Sequence, residues 1–160
     1  MHVRWVGLGL LLALSVPVGA GAAVTLVGQA TVIDGDTLEI RGKRVRLHGV
    51  DAPESSQQCT TPSGKRWRCG QKAALALSKK IDRQNIRCSG KKSDRYGRLV
   101  AVCRVGDVNL NQWLVRRGWA VAYRPSSKDY VPDERVAKEA GRGVWSGTFV
   151  MPWEWRKGTR

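Results

Sequence analysis

The stretch VIDGDTLEIRGKRVRLHGVDAPES, Val32 to Ser55, decides the fold, because apolar and polar residues alternate on both sides of the turn Arg41-Gly42-Lys43. Alternation of period two sends one set of side chains into a core and the other into water, which is the pattern of half-buried strands. Leu38 and Ile40 precede the turn, and Val45 and Leu47 follow it. Upstream, VTLVGQATVI continues the pattern from Val24, so Val24–Val50 reads as three antiparallel strands.

Downstream the period changes. A helix is expected from about Cys69 to Gln84, with Ala74, Leu77 and Ile81 on one face. A second hairpin runs from Ile86 to Val105, and a short helix, NLNQWLVRRG, is capped by Asn109 and stopped by Gly118. A third helix starts at Val131-Pro132-Asp133-Glu134, with a proline and acids in its first turn, and stops near Gly141. Five short strands with a helix after the third predict a small closed β-barrel of the OB type, with about three helices, in one α+β domain from residue 24 to residue 160. Most aromatics of the tail GVWSGTFVMPWEWRKGTR are expected to pack on the barrel.

Charge distribution raises a separate question. The chain has 28 Lys and Arg against 13 Asp and Glu, yet Asp34, Asp36, Glu39, Asp51 and Glu54 all fall in the opening stretch. With Gly42-Lys43 as the turn, Asp34 and Asp36 come opposite Asp51 at the open end of the hairpin. Like charges facing each other destabilise a strand pair, and a divalent cation offsets the repulsion. Carboxylates, a backbone carbonyl and water make a hard oxygen set suited to Ca²⁺. Taken separately, Asp34-Gly35-Asp36 is a polar turn and Asp51-Ala52-Pro53-Glu54 a loop leading to a helix. Arg46, on the strand that ends at Asp51, shifts the balance, since a guanidinium beside a carboxylate-bound cation is what phosphoryl transfer requires. The tip SDRYGR, with Asp94, Arg95, Tyr96 and Arg98, is either a solvated turn or the source of a second arginine for the same phosphate.

The first residues, MHVRWVGLGLLLALSVPVGAGAAVTL, combine Arg4, an apolar run from Trp5 to Val18 and small residues at Ala20-Gly21-Ala22. They read as a signal peptide over residues 1–23, which places the mature chain in a periplasm or outside the cell, with no membrane span after cleavage. In an oxidising compartment Cys59, Cys69, Cys88 and Cys103 form disulfides. Counting outward from the tip Asp94–Gly97, with Ser93 facing Arg98, sets Cys88 opposite Cys103 and leaves Cys59 to pair with Cys69. A zinc site is disfavoured, since the cysteines lack the close pairing of a zinc knuckle and His48 is the only histidine after the leader. The net charge of +15 attracts polyanions, so nucleic acid, anionic lipid and acidic polysaccharide are all admissible partners.

The motifs IDGDT, VRLHGVDAPE and DRYGR, in this order and spacing, resemble those of the thermonucleases, the staphylococcal nuclease-like family of secreted Ca²⁺-dependent nucleases on an OB barrel. The resemblance runs from about Val24 to Trp145, and the cysteine pairs and the PWEWR ending are similar to those of a Gram-negative branch. It implies that Asp36 and Asp51 bind Ca²⁺ through carboxylates and Ala52 through its backbone oxygen, where the best-known member has threonine. It implies Glu54 as the general base for attacking water, and Arg46 and Arg98 as the arginines that hold the scissile phosphate. Arg95, Tyr96 and Tyr123 fall at or near positions that contact the nucleotide. The implied activity is hydrolysis of DNA and RNA by a monomer, with single strands favoured and 3′-phosphate ends left. The rival reading is a non-catalytic OB module that binds nucleic acid or acidic polysaccharide. A third reading keeps the site but gives it a small or envelope-linked phosphodiester as substrate. His48 is expected to be structural, and Lys65, Arg66 and Arg68, on a loop stiffened by the Cys59–Cys69 bridge, are expected to form a basic rim beside the site.

Overall fold

A computed structural model of the chain describes residues 22–159; the signal-peptide reading lies outside them except for Ala22 and Ala23. The order of elements is β1 (Val24–Asp34), β2 (Thr37–Ile40), β3 (Lys43–Leu47), β4 (Val50–Asp51), β5 (Cys59–Thr60), β6 (Arg66–Trp67), α1 (Cys69–Ile81), β7 (Asn85–Ser93), β8 (Leu99–Val105), β9 (Val108–Asn109), α2 (Leu110–Arg116), β10 (Val121–Ala122), α3 (Val131–Glu139) and α4 (Pro152–Arg156). The main sheet has the order β3-β2-β1-β7-β8-β9, and a parallel pairing of β3 with β8 closes β1, β2, β3, β7 and β8 into a five-stranded barrel. This is the OB-type architecture expected, with a fourth, five-residue helix added in the tail.

The first hairpin differs from the expected register. Its turn is Arg41-Gly42, both at positive φ (49° and 73°), the conformation that a two-residue hairpin turn requires. Ile40 therefore pairs with Lys43, and Thr37 lies opposite Arg46 rather than His48. The displacement is two residues, so the same side chains still face inward. Leu38, Ile40, Val45 and Leu47 are all buried in the barrel.

In the second hairpin Cys88 does face Cys103, and the disulfides join Cys88 to Cys103 and Cys59 to Cys69 as expected. An irregularity between Ser89 and Lys92 then slips the ladder by one residue, so Ser93 pairs with Leu99 and not with Arg98. On α1 the buried face is Ala73, Leu77 and Ile81, one residue off the expected face at Ala74, and the helix ends at Ile81 with Asp82 left-handed. Asn109 caps α2 by accepting from the Gln112 N–H at 3.2 Å, as its sequence suggested. Trp67, Trp145 and Phe149 surround the Cys59–Cys69 bridge in a small second core. Among the described residues no helix is long and apolar enough to cross a membrane.

One buried acid ties the outer helices to the strand that carries Asp51. Glu134 on α3 is 1% exposed. Its Oε1 accepts from the Ala122 N–H at 3.1 Å and its Oε2 from Arg124 at 2.6 Å and Lys138 at 3.2 Å. Ala122 pairs with Val50, and its neighbour Val121 pairs with Asp51. Burial pushes the Glu134 pKa upward, but the hydrogen bonds from Arg124 and the Ala122 N–H and the charge of Lys138 outweigh it, leaving the pKa below its ordinary 4.5. A depressed carboxylate pKa contributes stability above about pH 4.5 that is lost as pH falls through the folded value. Glu134→Gln is therefore expected to lower unfolding free energy at pH 7 by roughly 1.5–3 kcal/mol, the range for hydrogen bonds to charged groups. In urea titrations from pH 7 down to acid, the gap from the parent chain should shrink.

Candidate active site

The first hairpin positions the acids by a kink rather than by a continuous ladder. β3 ends at Leu47, whose N–H donates to the Asp36 carbonyl at 2.9 Å, and the chain turns at His48-Gly49 before β4 resumes. That turn carries Asp51 and Ala52 back over Asp36, and the Ala52 N–H donates to Asp36 Oδ2 at 2.7 Å. Arg46 bridges the two acids, with Nη1 donating to Asp36 Oδ1 and Nη2 to Asp51 Oδ1 at 2.9 Å. Asp36 and Asp51 are 3% and 0% exposed, so two carboxylates lie inside the barrel wall within reach of one guanidinium. Asp34 does not join them; its Oδ1 accepts from the Asp36 N–H at 3.0 Å, as in a local turn.

Barrel closure delivers the second arginine. The parallel pairing sets Arg46 beside Val100, so the residues just before β8 emerge next to the open end of the first hairpin. Asp94 organises that tip: its Oδ1 accepts from the N–H groups of Tyr96 (2.9 Å) and Arg98 (3.0 Å), and its Oδ2 from Arg98 Nε at 2.8 Å. Desolvation pulls the Asp94 pKa up, but the Arg98 side chain and these N–H groups win, and it lies below the usual range. Arg98 Nη1 lies 3.5 Å from Thr37 Oγ1, on the strand facing Arg46. Arg95 stacks over the ring of Tyr96, which is 69% exposed.

Asp36, Arg46, Ala52, Glu54, Arg95, Tyr96, Arg98 and Tyr123 line one cleft of about 850 Å³. Asp51 lies buried behind it. The structure therefore brings together the residues to which the three motifs gave site roles, with Tyr123 as well, and Asp34 and Asp94 also border the cleft. His48 stays apart: its ring meets Ser126 and its carbonyl accepts from Asn111. Lys65, Arg66 and Arg68 are exposed, but none lines this cleft, so the expected rim is not part of it.

Sequence reasoning missed Arg156. From the last turn of α4 its Nη1 donates to Asp51 Oδ1 at 3.0 Å and Glu54 Oε1 at 2.7 Å, and its Nη2 to Asp51 Oδ2 at 2.8 Å. Hydrogen bonding to Asp51, opposed by burial and reinforced by Glu54, raises its pKa. Trp153 and Lys157 complete that wall, and Trp153 lies 5.9 Å from the Tyr123 ring. The signal in the sequence was the PWEWR ending, noted only for its resemblance, and no local spacing rule links its arginine to an acid 105 residues earlier.

The donor set is hard and oxygen-based: two buried carboxylates, the Ala52 carbonyl and the half-exposed Glu54. Among the described residues no three acidic, histidine or cysteine side chains are gathered closely enough to hold a metal alone. By its chemistry the set suits a hard divalent cation, which would need further ligands from water or a substrate oxygen.

A model of the staphylococcal nuclease homologue family matches residues 44–147. The chain belongs to this family. A Rhizobium meliloti protein named succinoglycan biosynthesis protein ExoI is 43% identical over 129 residues, covering 79% of this chain and 68% of that one. A Haemophilus influenzae protein described as an uncharacterized endonuclease is 34% identical over 134 residues, covering 79% and 70%. The micrococcal nuclease of Shigella flexneri is 30% identical over 176 residues, covering 99% and 94%. The matched span of the staphylococcal nuclease homologue model includes Arg46, Asp51, Glu54 and Arg98, but ends before Arg156.

Close backbone approach holds the acid loop of this family member in place. A Cβ on Gly70, at the start of α1, would sit 1.7 Å from the Glu54 carbonyl, and one on Gly35 would sit 2.6 Å from the Ala52 Cβ. Gly70→Ala is expected to displace the Pro53-Glu54 segment and to lower stability by about 1–3 kcal/mol, the usual range for overpacking. Thermal denaturation of the variant beside the parent chain measures it.

Proposed function

We propose that the protein is a Ca²⁺-dependent nuclease that hydrolyses phosphodiester bonds of DNA and RNA with little sequence preference. The observation that carries this reading is one cleft that holds two arginines on separate strand ends, an accessible carboxylate and a wall of two buried carboxylates. Membership of the staphylococcal nuclease homologue family, and relatives named as endonuclease and micrococcal nuclease, support it. Asp36, Asp51 and the Ala52 carbonyl are the residues that would hold Ca²⁺, which when bound supplies positive charge to a phosphoryl oxygen.

The chain's own residues do the rest. Arg46 and Arg98 hold the non-bridging oxygens of the scissile phosphate and take up the charge that grows on them during in-line displacement. Glu54 accepts a proton from the attacking water as its oxygen bonds to phosphorus. The bond from phosphorus to the 5′-oxygen breaks, that oxygen takes up a proton, and a 3′-phosphate end remains. Arg95, Tyr96 and Tyr123 border the cleft where the neighbouring nucleotide lies, and the +15 charge draws the polyanion in. An open cleft of this size suits a single strand better than a rigid duplex. We place the mature domain, residues 24–160, in a periplasm or outside the cell as a monomer, consistent with its two disulfides.

A relative named for succinoglycan biosynthesis favours a second reading, in which the basic barrel of this chain binds an acidic polysaccharide without catalysis. Digestion of heat-denatured DNA separates the two. With Ca²⁺ the wild type should degrade it, and chelator should stop the reaction. Arg46→Ala and Glu54→Gln should each lower kcat by about a hundredfold or more. Glycan binding with no Ca²⁺-dependent cleavage by the wild type would favour the second reading.

A further inference from the structure

Arg156 sits where the proposed cation chemistry needs room. Asp51 Oδ1 accepts from both Arg46 and Arg156, and Oδ2 accepts from Arg156, so both oxygens of this fully buried carboxylate are engaged by guanidinium groups. Glu54, the other acid on that side of the cleft, is held by the same Arg156 Nη1. We infer that Arg156 and a divalent cation are alternative occupants of the Asp51–Glu54 seat, so that Arg156 sets the cation affinity of the site and is freed into the cleft when the cation binds. The inference rests on the cation-dependent reading above and adds a residue outside the three site motifs and outside the span matched by the family model.

Charge balance gives the first reason. Asp36, Asp51 and Glu54 place three negative charges in and behind the cleft wall, and Arg46 alone cannot offset them. A second guanidinium, on Asp51 and Glu54, offsets most of that repulsion in the absence of metal. A divalent cation offsets it too, but it needs the Asp51 Oδ2 and Glu54 oxygens that Arg156 holds, whereas Arg46 touches Asp51 only at Oδ1.

The mounting of α4 gives the second reason. Its approach is pinned: Gln57, itself fully buried, donates to the Val150 carbonyl at 2.6 Å, Thr60 and Thr148 exchange backbone hydrogen bonds at 2.9 Å, and Pro152 is buried. The far end is open, with the Arg156 side chain 41% exposed and Lys157 and Gly158 at the surface. A long side chain at the open end of a pinned helix can leave Asp51 without unfolding the tail. Released, it remains on the wall of the cleft that holds Arg46 and Arg98, where its next anionic partner is a phosphate.

Calorimetric titration of Ca²⁺ into the purified, nucleic-acid-free chain tests this without relying on activity. Arg156→Ala should bind Ca²⁺ about tenfold or more tightly than the wild type, as expected when a charge-assisted competitor is removed, and Asp51→Asn should abolish binding. An unchanged or weaker affinity in Arg156→Ala would overturn the competition while leaving the cation site standing. Absence of binding in both wild type and Arg156→Ala would overturn the cation site and the inference together. If Arg156→Ala does not fold without Ca²⁺, NMR of the wild-type guanidinium groups decides: the Arg156 Nε–H resonance should shift when Ca²⁺ is added, and an unchanged resonance at saturating Ca²⁺ would overturn the proposal.

Discussion

Asp51 carries a charge at a position with no solvent exposure, and much of the surrounding structure can be understood as a response to it. A buried carboxylate is tolerated only when its oxygens are hydrogen-bonded and its charge is matched. Arg46 reaches it from the neighbouring strand, and Arg156 reaches it from the far end of the chain. Its strand is held by β10, and β10 in turn by Glu134 on α3. The barrel, the outer helices and the tail thus converge on one side chain. A group placed at such expense of desolvation is better suited to holding a cation than to stabilising a fold, since an apolar residue of similar volume serves the latter as well or better.

Local patterns made the barrel legible. Alternation gave the strands, proline, asparagine and glycine gave the helix ends, and outward counting gave the Cys88–Cys103 bridge. The errors arose where one residue changes phase: the turn at Arg41-Gly42 moved the first register by two, and the irregularity after Ser89 moved the hairpin tip by one. Neither flipped a face of the barrel, because the first shift is even and the second falls beyond the buried cysteine pair.

The site was legible only where its residues lie on neighbouring strands or in motifs whose order the family shares. Asp36, Arg46, Asp51, Glu54 and Arg98 fall in this class. The route by which Asp36 and Asp51 meet was not legible, since it depends on a kink at His48-Gly49 and a backbone contact at Ala52. Arg156 was hidden for a different reason. It closes the PWEWR ending, to which the sequence attached no chemistry, and its partnership with Asp51 arises only when Gln57 and Thr60 fix the tail against the Cys59–Cys69 loop. The basic rim is a weaker case: Lys65, Arg66 and Arg68 are exposed but do not line the cleft itself.

A strongly basic chain and an acidic centre are therefore parts of one arrangement. In the proposed reading the surface charge concentrates a polyanion, arginines at two strand ends offer it hydrogen bonds, and the buried acids reserve a place for a small cation beside it. The most direct test of that claim is anomalous difference density from crystals of the protein grown with Ca²⁺. The account predicts a single strong peak in contact with the carboxylates of Asp36 and Asp51 and the carbonyl of Ala52; no peak there at saturating Ca²⁺, with Arg46 and Arg156 still closed on Asp51, would contradict it.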